Sequence, residues 1–310
     1  MKRLAVMAHF DYSGEVAPHV ERNVEALQAA VDDLVVVSTA DLTESAAAWL
    51  SERATLLRRP NYGYDFLSYK TGLLHGGSLD EYDEVIIGND SFVGPLLPYH
   101  DIFQAMSTQP VDFWGLTRTE RVAPHVQSFF VAFRPWVVRS RAFKRFWSGM
   151  IPLSDRKQVI LRYEVGMSGH LYDAGFTSGS YFTETPSDRR LARRRVKWWA
   201  AHRSPGALAR SNREVLRRQS NEPWNPSAAL ADVALDDGRL PYVKIDTLRY
   251  DPYHLGADRL LNRCESRFPE HFAGVRDWLS RTAPFYPPRP AEVLHPTPMI
   301  LRPYRKWVSY

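Results

Sequence analysis

The chain holds one cysteine, Cys264, in 310 residues. That excludes an intramolecular disulfide framework and a cysteine-based metal cluster, and it fits a reducing compartment. No run approaches the roughly 18 consecutive apolar residues that mark a membrane-spanning helix. Met1-Lys2-Arg3 leads straight into a strand-like segment and not into the apolar core of a signal peptide. The expectation is a cytoplasmic protein. Internal repeats and low-complexity runs are missing, so no repeat array is expected. There is also no zinc-ligand spacing and no aromatic stacking motif, which argues against a nucleic-acid partner despite a net charge of +5 and a pI near 9.2. That charge still permits smaller anionic partners such as nucleotide phosphates or lipid head groups.

What the chain does have is an ordinary globular composition, 44% hydrophobic and 24% charged, enough for one large or two modest domains with a full core. The first half alternates two kinds of pattern. Strand signals fall at 4–9, 34–38, 54–58, 84–88, 113–116 and 128–133; helix signals fall at 16–30, 42–52, 64–74 and 99–106. Strands separated by helices predict a mostly parallel α/β sheet covered on both faces. Runs such as Val35-Val36-Val37 fit strands buried on both sides. One helix is expected over 155–174, a further helix over 225–237, a short strand over 241–246, and two helices between 256 and 282. The proline-rich stretch 284–303 reads as extended chain. Composition divides the chain into 1–185, a basic linker or amphipathic helix over 186–222, and a helical extension over 223–310.

Open α/β sheets place ligands outside the carboxyl ends of their strands. The strand over 84–88 stops on Asn89-Asp90-Ser91, where a carboxylate and two small polar groups can hold a metal ion, a diphosphate or a sugar hydroxyl. Asp90 can equally cap the turn that Gly94-Pro95 implies. The loop Asn61-Tyr62-Gly63-Tyr64-Asp65 enters a helix at another strand end, with Ser68 and Tyr69 on the face of Asp65 at i+3 and i+4; Asp65 also suits the helix dipole there. His9, Asp11 and Gly14 follow the first strand. His9 is a poor metal ligand, because no second His or Cys stands at ligand spacing.

These segments carry a resemblance. Ala8-His9-Phe10-Asp11-Tyr12-Ser13-Gly14, Asn61-Tyr62-Gly63-Tyr64-Asp65-Phe66 with Ser68-Tyr69-Lys70-Thr71-Gly72-Leu73, and Ile87-Gly88-Asn89-Asp90-Ser91 with Gly94-Pro95-Leu96 come first. Asp112-Phe113-Trp114-Gly115-Leu116-Thr117, Gln127-Ser128-Phe129-Phe130 with Phe133-Arg134, Tyr163-Glu164-Val165-Gly166-Met167-Ser168, and Asn225-Pro226 with Pro241-Tyr242-Val243-Lys244 follow in order. The ordered set resembles the rhamnan synthesis protein F family of bacterial glycosyltransferases, over about four fifths of the chain.

The resemblance implies a GT-A-like fold, a Rossmann-type nucleotide-sugar-binding sheet flanked by helices, with a helical C-terminal extension. It implies a donor of the dTDP- or GDP-rhamnose class and a growing glycan or lipid-linked glycan as acceptor. Donor-binding candidates are then His9, Asp11, Asn61, Gly63, Asp65, Ser68, Lys70, Asn89, Asp90 and Ser91. Many GT-A enzymes carry Asp-X-Asp where this chain has Asn89-Asp90-Ser91, so Mg²⁺ or Mn²⁺ on Asp90 and direct contact of Asp90 with donor hydroxyls both stay open. Glu164 is the candidate base, since inverting transfer needs one carboxylate to deprotonate the acceptor hydroxyl; the plainer reading is an exposed helix glutamate. Trp114, Gln127 and Ser128 are the acceptor-side candidates. A non-catalytic nucleotide- or glycan-binding scaffold with a decayed site is the alternative.

Eleven Arg or Lys stand against two acids between 188 and 218. At helical spacing Leu191, Ala192, Val196, Trp198 and Trp199 share one side, with Arg195 among them. Arg189, Arg190, Arg193, Arg194 and Lys197 share the other. The pattern suits a helix lying on the anionic inner face of the cytoplasmic membrane, or a solvated basic helix whose tryptophans pack on the catalytic domain.

Overall fold

The computed structural model describes residues 1–203 and 221–286. The unbroken apolar run Leu4-Ala5-Val6-Met7-Ala8 lies in β1 (Arg3–His9), the central strand of the parallel half of the sheet. It pairs in parallel with β2 (Asp33–Ser38) on one side and β4 (Glu84–Asn89) on the other. β3 (Thr55–Arg58) lies beyond β2. The connections are α1 (Pro18–Gln28), α2 (Glu44–Arg53) and α3 (Tyr64–His75). Thr43 caps α2 by accepting from the Ala46 N–H at 3.2 Å. α3 lies close on the sheet because residue 72 is glycine: a Cβ there would meet Val6 Cγ1 at 2.3 Å.

After β4 come β5 (Phe92–Val93), α4 (Tyr99–Ser107), β6 (Phe113–Gly115), β7 (Arg118–Thr119), β8 (His125–Val126) and β9 (Phe130–Phe133). The chain goes on through α5 (Pro135–Arg139), α6 (Arg141–Ser148), α7 (Arg156–Val159), a π-helical turn (Ile160–Val165), α8 (Gly166–Asp173), β10 (Ser178–Ser180) and α9 (Pro186–Arg203). The seven-stranded sheet runs β10-β6-β9-β4-β1-β2-β3. β9 is antiparallel to both its neighbours, β4 and β6. No helix lies between β6 and β9, only the β7–β8 ribbon, and a parallel pairing needs a crossover that this connection does not contain. The architecture is mixed α/β with a parallel-rich central sheet.

Strand alternation divides the core. Ala5, Met7, Val36 and Ile86 face a cluster shared with α1, α4 and the C-terminal helices; Val6, Val37, Val85 and Ile87 face one shared with α3 and α5–α8. The C-terminal segment comprises α10 (Pro226–Ala229), α11 (Ala231–Asp236), β11 (Val243–Lys244), α12 (Ile245–Tyr250), α13 (Ala257–Arg267), α14 (Pro269–Phe272) and α15 (Val275–Thr282). It belongs to the first cluster and is pinned where β11 pairs antiparallel with β5.

Several expectations change here. The helix expected over 225–237 is two short helices, the strand expected over 241–246 is confined to Val243–Lys244 and runs into α12, and three helices stand where two were expected between 256 and 282. The single helix expected over 155–174 is interrupted by the π turn, which carries Glu164. On α9, Trp198 is buried and Trp199 packs on Tyr253 with ring centres 5.8 Å apart, so the apolar side of this helix faces protein. Arg195, the cation on that side, is buried in a bidentate pair with Asp232 at 2.7 Å per bond. Of the extended chain expected over 284–303, the first residues instead belong to a 3-10 turn, Ala283–Phe285, and 287–303 lie outside the described residues, as does the basic stretch over 204–218. Among the described residues no helix is long and apolar enough to cross a membrane.

Candidate active site at the carboxyl edge of the sheet

The chain leaves β1 toward β2 on one side, and β4 lies on the other, so the strand order reverses between β1 and β4. A crevice opens there by topology alone. Ala8 stands opposite Asn89 in the register, which brings His9, Phe10 and Asn89-Asp90-Ser91 to one place. A cleft of about 1140 Å³ covers this edge.

Asp90 Oδ2 accepts from the Phe10 N–H at 2.6 Å. Burial, with Asp11 and Asp65 close by, raises the Asp90 carboxyl to about 7 against that hydrogen bond. Asn89 donates through Nδ2 to Asp65 Oδ2 at 2.9 Å, and its Oδ1 accepts from the backbone and side chain of Ser91. Asp65 sits in the first turn of α3, behind Gly63, whose left-handed φ of 73° sets the entry to the helix. Burial and the nearby Glu164 carboxylate raise the Asp65 pKa, against hydrogen bonds from Asn89 and Phe66.

Glu164 stands on another wall of the cleft. Ser128 Oγ donates to its Oε2 at 2.6 Å and His125 Nε2 lies 3.3 Å from Oε1. Burial pushes the Glu164 carboxyl upward, but His125, Ser128 and the charge of Lys244 outweigh it, and the net direction is down. Glu164 is therefore held ionised. β8 places His125, and its Nδ1 lies 2.8 Å from the Ala123 carbonyl oxygen, so both ring nitrogens face acceptors. The Val126 N–H donates to Ser168 Oγ at 3.1 Å, which ties β8 to α8 beside the π turn.

Several candidates have other employment. Lys70 donates to the carbonyl oxygens of Ser148 and Met150 at 3.0 and 2.8 Å, away from the cleft, because its position on α3 faces α6. The Asp11 carboxylate accepts from Ser13 and from Trp278 Nε1 at 2.9 Å; it anchors α15 and does not line the cleft. Ser68 Oγ accepts from Arg59 Nε and Nη2 at 3.0 and 2.9 Å, and Arg59 also donates to carbonyl oxygens of the 60–64 loop. Ser68 thus holds the loop through Arg59. Trp114 is fully buried and donates to Glu84 Oε1, at the opposite end of the sheet. Gln127 touches the cleft, but its Oε1 accepts from Thr117 and Ser227 at 2.7 and 2.9 Å in a buried cluster with Tyr242. His9 lines the cleft with Nδ1 on Ser38 Oγ at 3.0 Å, and burial lowers its pKa to about 4. Asn61, Gly63, Asp65, Asn89, Asp90, Ser91, Ser128 and Glu164 do converge on the cleft.

Arg59, His125 and Lys244 were not singled out by sequence reasoning. Lys244 lay inside the Pro241–Lys244 segment of the resemblance, but nothing in the segment tells that it reaches Asn89-Asp90-Ser91. Its Nζ donates to Ser91 Oγ and lies 4.1 Å from the centre of the Phe129 ring.

The same residues test the expected metal. Among the described residues no three His, Cys, Asp or Glu side chains converge as ligands. At the strand end, Asn89 Oδ1 is taken up by Ser91, Ser91 Oγ by the Lys244 ammonium, and Asp90 Oδ2 by a backbone N–H. These residues form no ready-made cage for Mg²⁺ or Mn²⁺; a metal here would lean on Asp90 and on the phosphates of a bound nucleotide.

Residues 34–203, more than half of the chain, match the rhamnan synthesis protein F family. The chain belongs to that family, which is described by the synthesis of a polysaccharide. Among curated proteins it is 31% identical over 116 residues to the virulence protein VirA of Vibrio anguillarum, covering 36% of this chain and 36% of that protein. It is 27% identical over 156 residues to the uncharacterized protein y4gN of Sinorhizobium fredii, covering 48% of this chain and 40% of that one. The matches therefore span well under half the length of these relatives. Among solved structures, the 4-diphosphocytidyl-2C-methyl-D-erythritol synthase of Anaerococcus prevotii is similar with a TM-score of 0.37 and 10% identity, over 58% of this chain and 87% of that one.

Proposed function

We propose that this protein is a glycosyltransferase that moves a deoxyhexose, rhamnose by the family's description, from a nucleotide-sugar donor to a growing polysaccharide or lipid-linked glycan. The observation that carries the reading is Glu164: an ionised carboxylate, oriented by Ser128 and His125, on one wall of a cleft whose other wall is the strand-end group Asn89-Asp90-Ser91. In the proposed reaction the acceptor hydroxyl attacks the anomeric carbon and gives its proton to Glu164. The anomeric C–O bond breaks, and its electron pair leaves on the nucleoside diphosphate. Asp65, Asn89 and Asp90 would contact the donor sugar or ribose; a carboxyl raised to about 7 can donate as well as accept.

Incubating the protein with a panel of dTDP-, GDP- and UDP-sugars tests this. Slow hydrolysis of one donor, lost in Glu164→Gln, supports the transferase. Binding of a nucleotide sugar with no turnover in the presence of rhamnan-type acceptors would instead support the scaffold reading.

The exposed side of α9, with Arg189, Arg190, Arg193, Arg194 and Lys197, supports a contact with an anionic membrane surface that carries the acceptor. With Trp198 buried and Trp199 packed on Tyr253, the proposed contact is electrostatic and involves no tryptophan insertion.

A further inference from the structure

We infer that Lys244 binds the diphosphate of the donor and takes, as a side chain, the place that a divalent cation would hold at this strand end. The inference rests on the transferase reading and adds how its leaving group is stabilised.

Lys244 comes from the C-terminal segment. The β11–β5 pairing sets it opposite Phe92, directly after Asn89-Asp90-Ser91. Its amine is half-buried at the cleft, and among the described residues it meets a hydroxyl and the face of Phe129. Neither carries a full negative charge. Of the other cations near this edge, Arg121 and Lys157 are exposed at the rim of the cleft, and the rest have partners. Arg59 holds the 60–64 loop, Lys70 holds two carbonyl oxygens behind α3, and Arg156 stands 3.8 Å from Asp246. Arg249 donates to Leu279 and Thr282 and lies over the ring of Tyr286 at 4.2 Å. The cleft thus presents one half-buried ammonium held by neutral groups, next to the strand end where a nucleotide's phosphates are expected from topology.

Chemistry agrees with geometry. When the anomeric C–O bond breaks, negative charge develops on the β-phosphate oxygen, and a preorganised donor in a poorly hydrated site stabilises it without reorganisation. Lys244 needs to transfer no proton for this. Burial lowers its pKa to about 8, while Asp246, Glu164, Asp65 and Asp90 act in the opposite sense, so it is mostly protonated at neutral pH. The raised Asp90 carboxyl lessens the repulsion that a dianion would meet beside it.

The test is calorimetric titration of the full chain with uridine, guanosine and thymidine and with UDP, GDP and dTDP. Each is measured in EDTA and again with Mg²⁺ or Mn²⁺. The expected result is that one diphosphate binds more tightly than its nucleoside in EDTA. Lys244→Met should weaken that diphosphate by about tenfold or more, the scale of a hydrogen bond to a charged group, and leave the nucleoside unchanged. Lys244→Arg should recover part of the loss. Diphosphate affinity of the wild type should also fall above about pH 8 as Lys244 loses its proton, which needs no variant to fold. A diphosphate preference that vanishes in EDTA and returns with metal overturns the inference, and so does a Lys244→Met protein that binds the diphosphate like wild type. If no nucleoside or diphosphate binds under any condition, the transferase reading itself fails, and this inference with it.

Discussion

At the start of β4, Glu84 is buried and accepts from Arg3 Nε at 3.0 Å, Arg134 Nη1 at 3.0 Å and Trp114 Nε1 at 3.1 Å. At its other end, Asp90 accepts one backbone N–H, with Asp11 and Asp65 near enough to raise its pKa and Lys244 beside Ser91. The first carboxylate has more positive charge around it than it carries; the second shares one ammonium with its acidic neighbours. A matched buried charge is architecture, because removing either partner leaves the other uncompensated. An undermatched cluster at a strand's carboxyl end costs stability and is the usual condition of a binding site.

The most severe way to break the comparison is Glu84→Ala, which leaves Arg134 buried without its counter-charge. The expected loss is about 3–5 kcal/mol of folding stability, read by urea unfolding. A loss no larger than that of a surface substitution would show that the pairing holds nothing together. Glu164→Gln, at the opposite edge, loses only the charge that His125, Ser128 and Lys244 favour. It should cost about 1 kcal/mol of stability, far less than Glu84→Ala, while turnover falls by about 10²-fold or more with donor affinity kept. Donor affinity falling in step with turnover would make Glu164 a binding residue. Unchanged turnover would move the role of base to Asp65.

Asp90→Asn should abolish transfer yet stabilise the fold at high pH. The native carboxyl, at about 7, lies above its unfolded value near 3.8, so the folded state binds the extra proton between those values. Asp90 therefore stabilises the fold most at low pH, and stability falls as pH rises toward 7. His9 and His19, lowered by burial from 6.5 to about 4, work in the opposite sense, adding stability as pH rises through that interval. Both histidines remain in the variant, so the difference between the proteins isolates Asp90. Discounted for its partial exposure, we expect about 1–2 kcal/mol at pH 8, a melting temperature higher by a few °C. Equal melting temperatures at pH 8 would mean that the site is not strained by its carboxylates.

The smallest effect on the fold is expected on α9, where the same contrast recurs on one helix. Arg195 is paired inside with Asp232; Arg189, Arg190, Arg193 and Arg194 face out. Replacing those four with Gln should change stability by less than about 0.5 kcal/mol in either direction, while sedimentation with anionic vesicles at low salt is lost. Wild type that stays in the supernatant at low salt would leave this face merely solvated.

Period and punctuation made much of the molecule legible from the chain alone. Near-continuous apolar runs announced β1, β2 and β4. Helices between them announced the parallel half of the sheet, so the strand-end position of Asn89-Asp90-Ser91 and the loop before Asp65 could be named. Motif order named the family. Periodicity reports that a face is buried, but not what covers it. The direction of β9, the burial of Trp114, the attachment of Lys70 to the carbonyl oxygens of 148 and 150, and the capture of Asp11 by Trp278 each depend on a distant partner. Lys244 is the clearest case: the hydroxyl it meets on Ser91 is 153 residues earlier in the chain. Only the β5–β11 pairing brings them together, and that pairing is two residues long on each side, too short to leave a period in the sequence. The sequence by itself determined which residues stand at the edge of the sheet; tertiary packing decided which of them keep a free polar group there, because that depends on partners supplied from the far end of the chain.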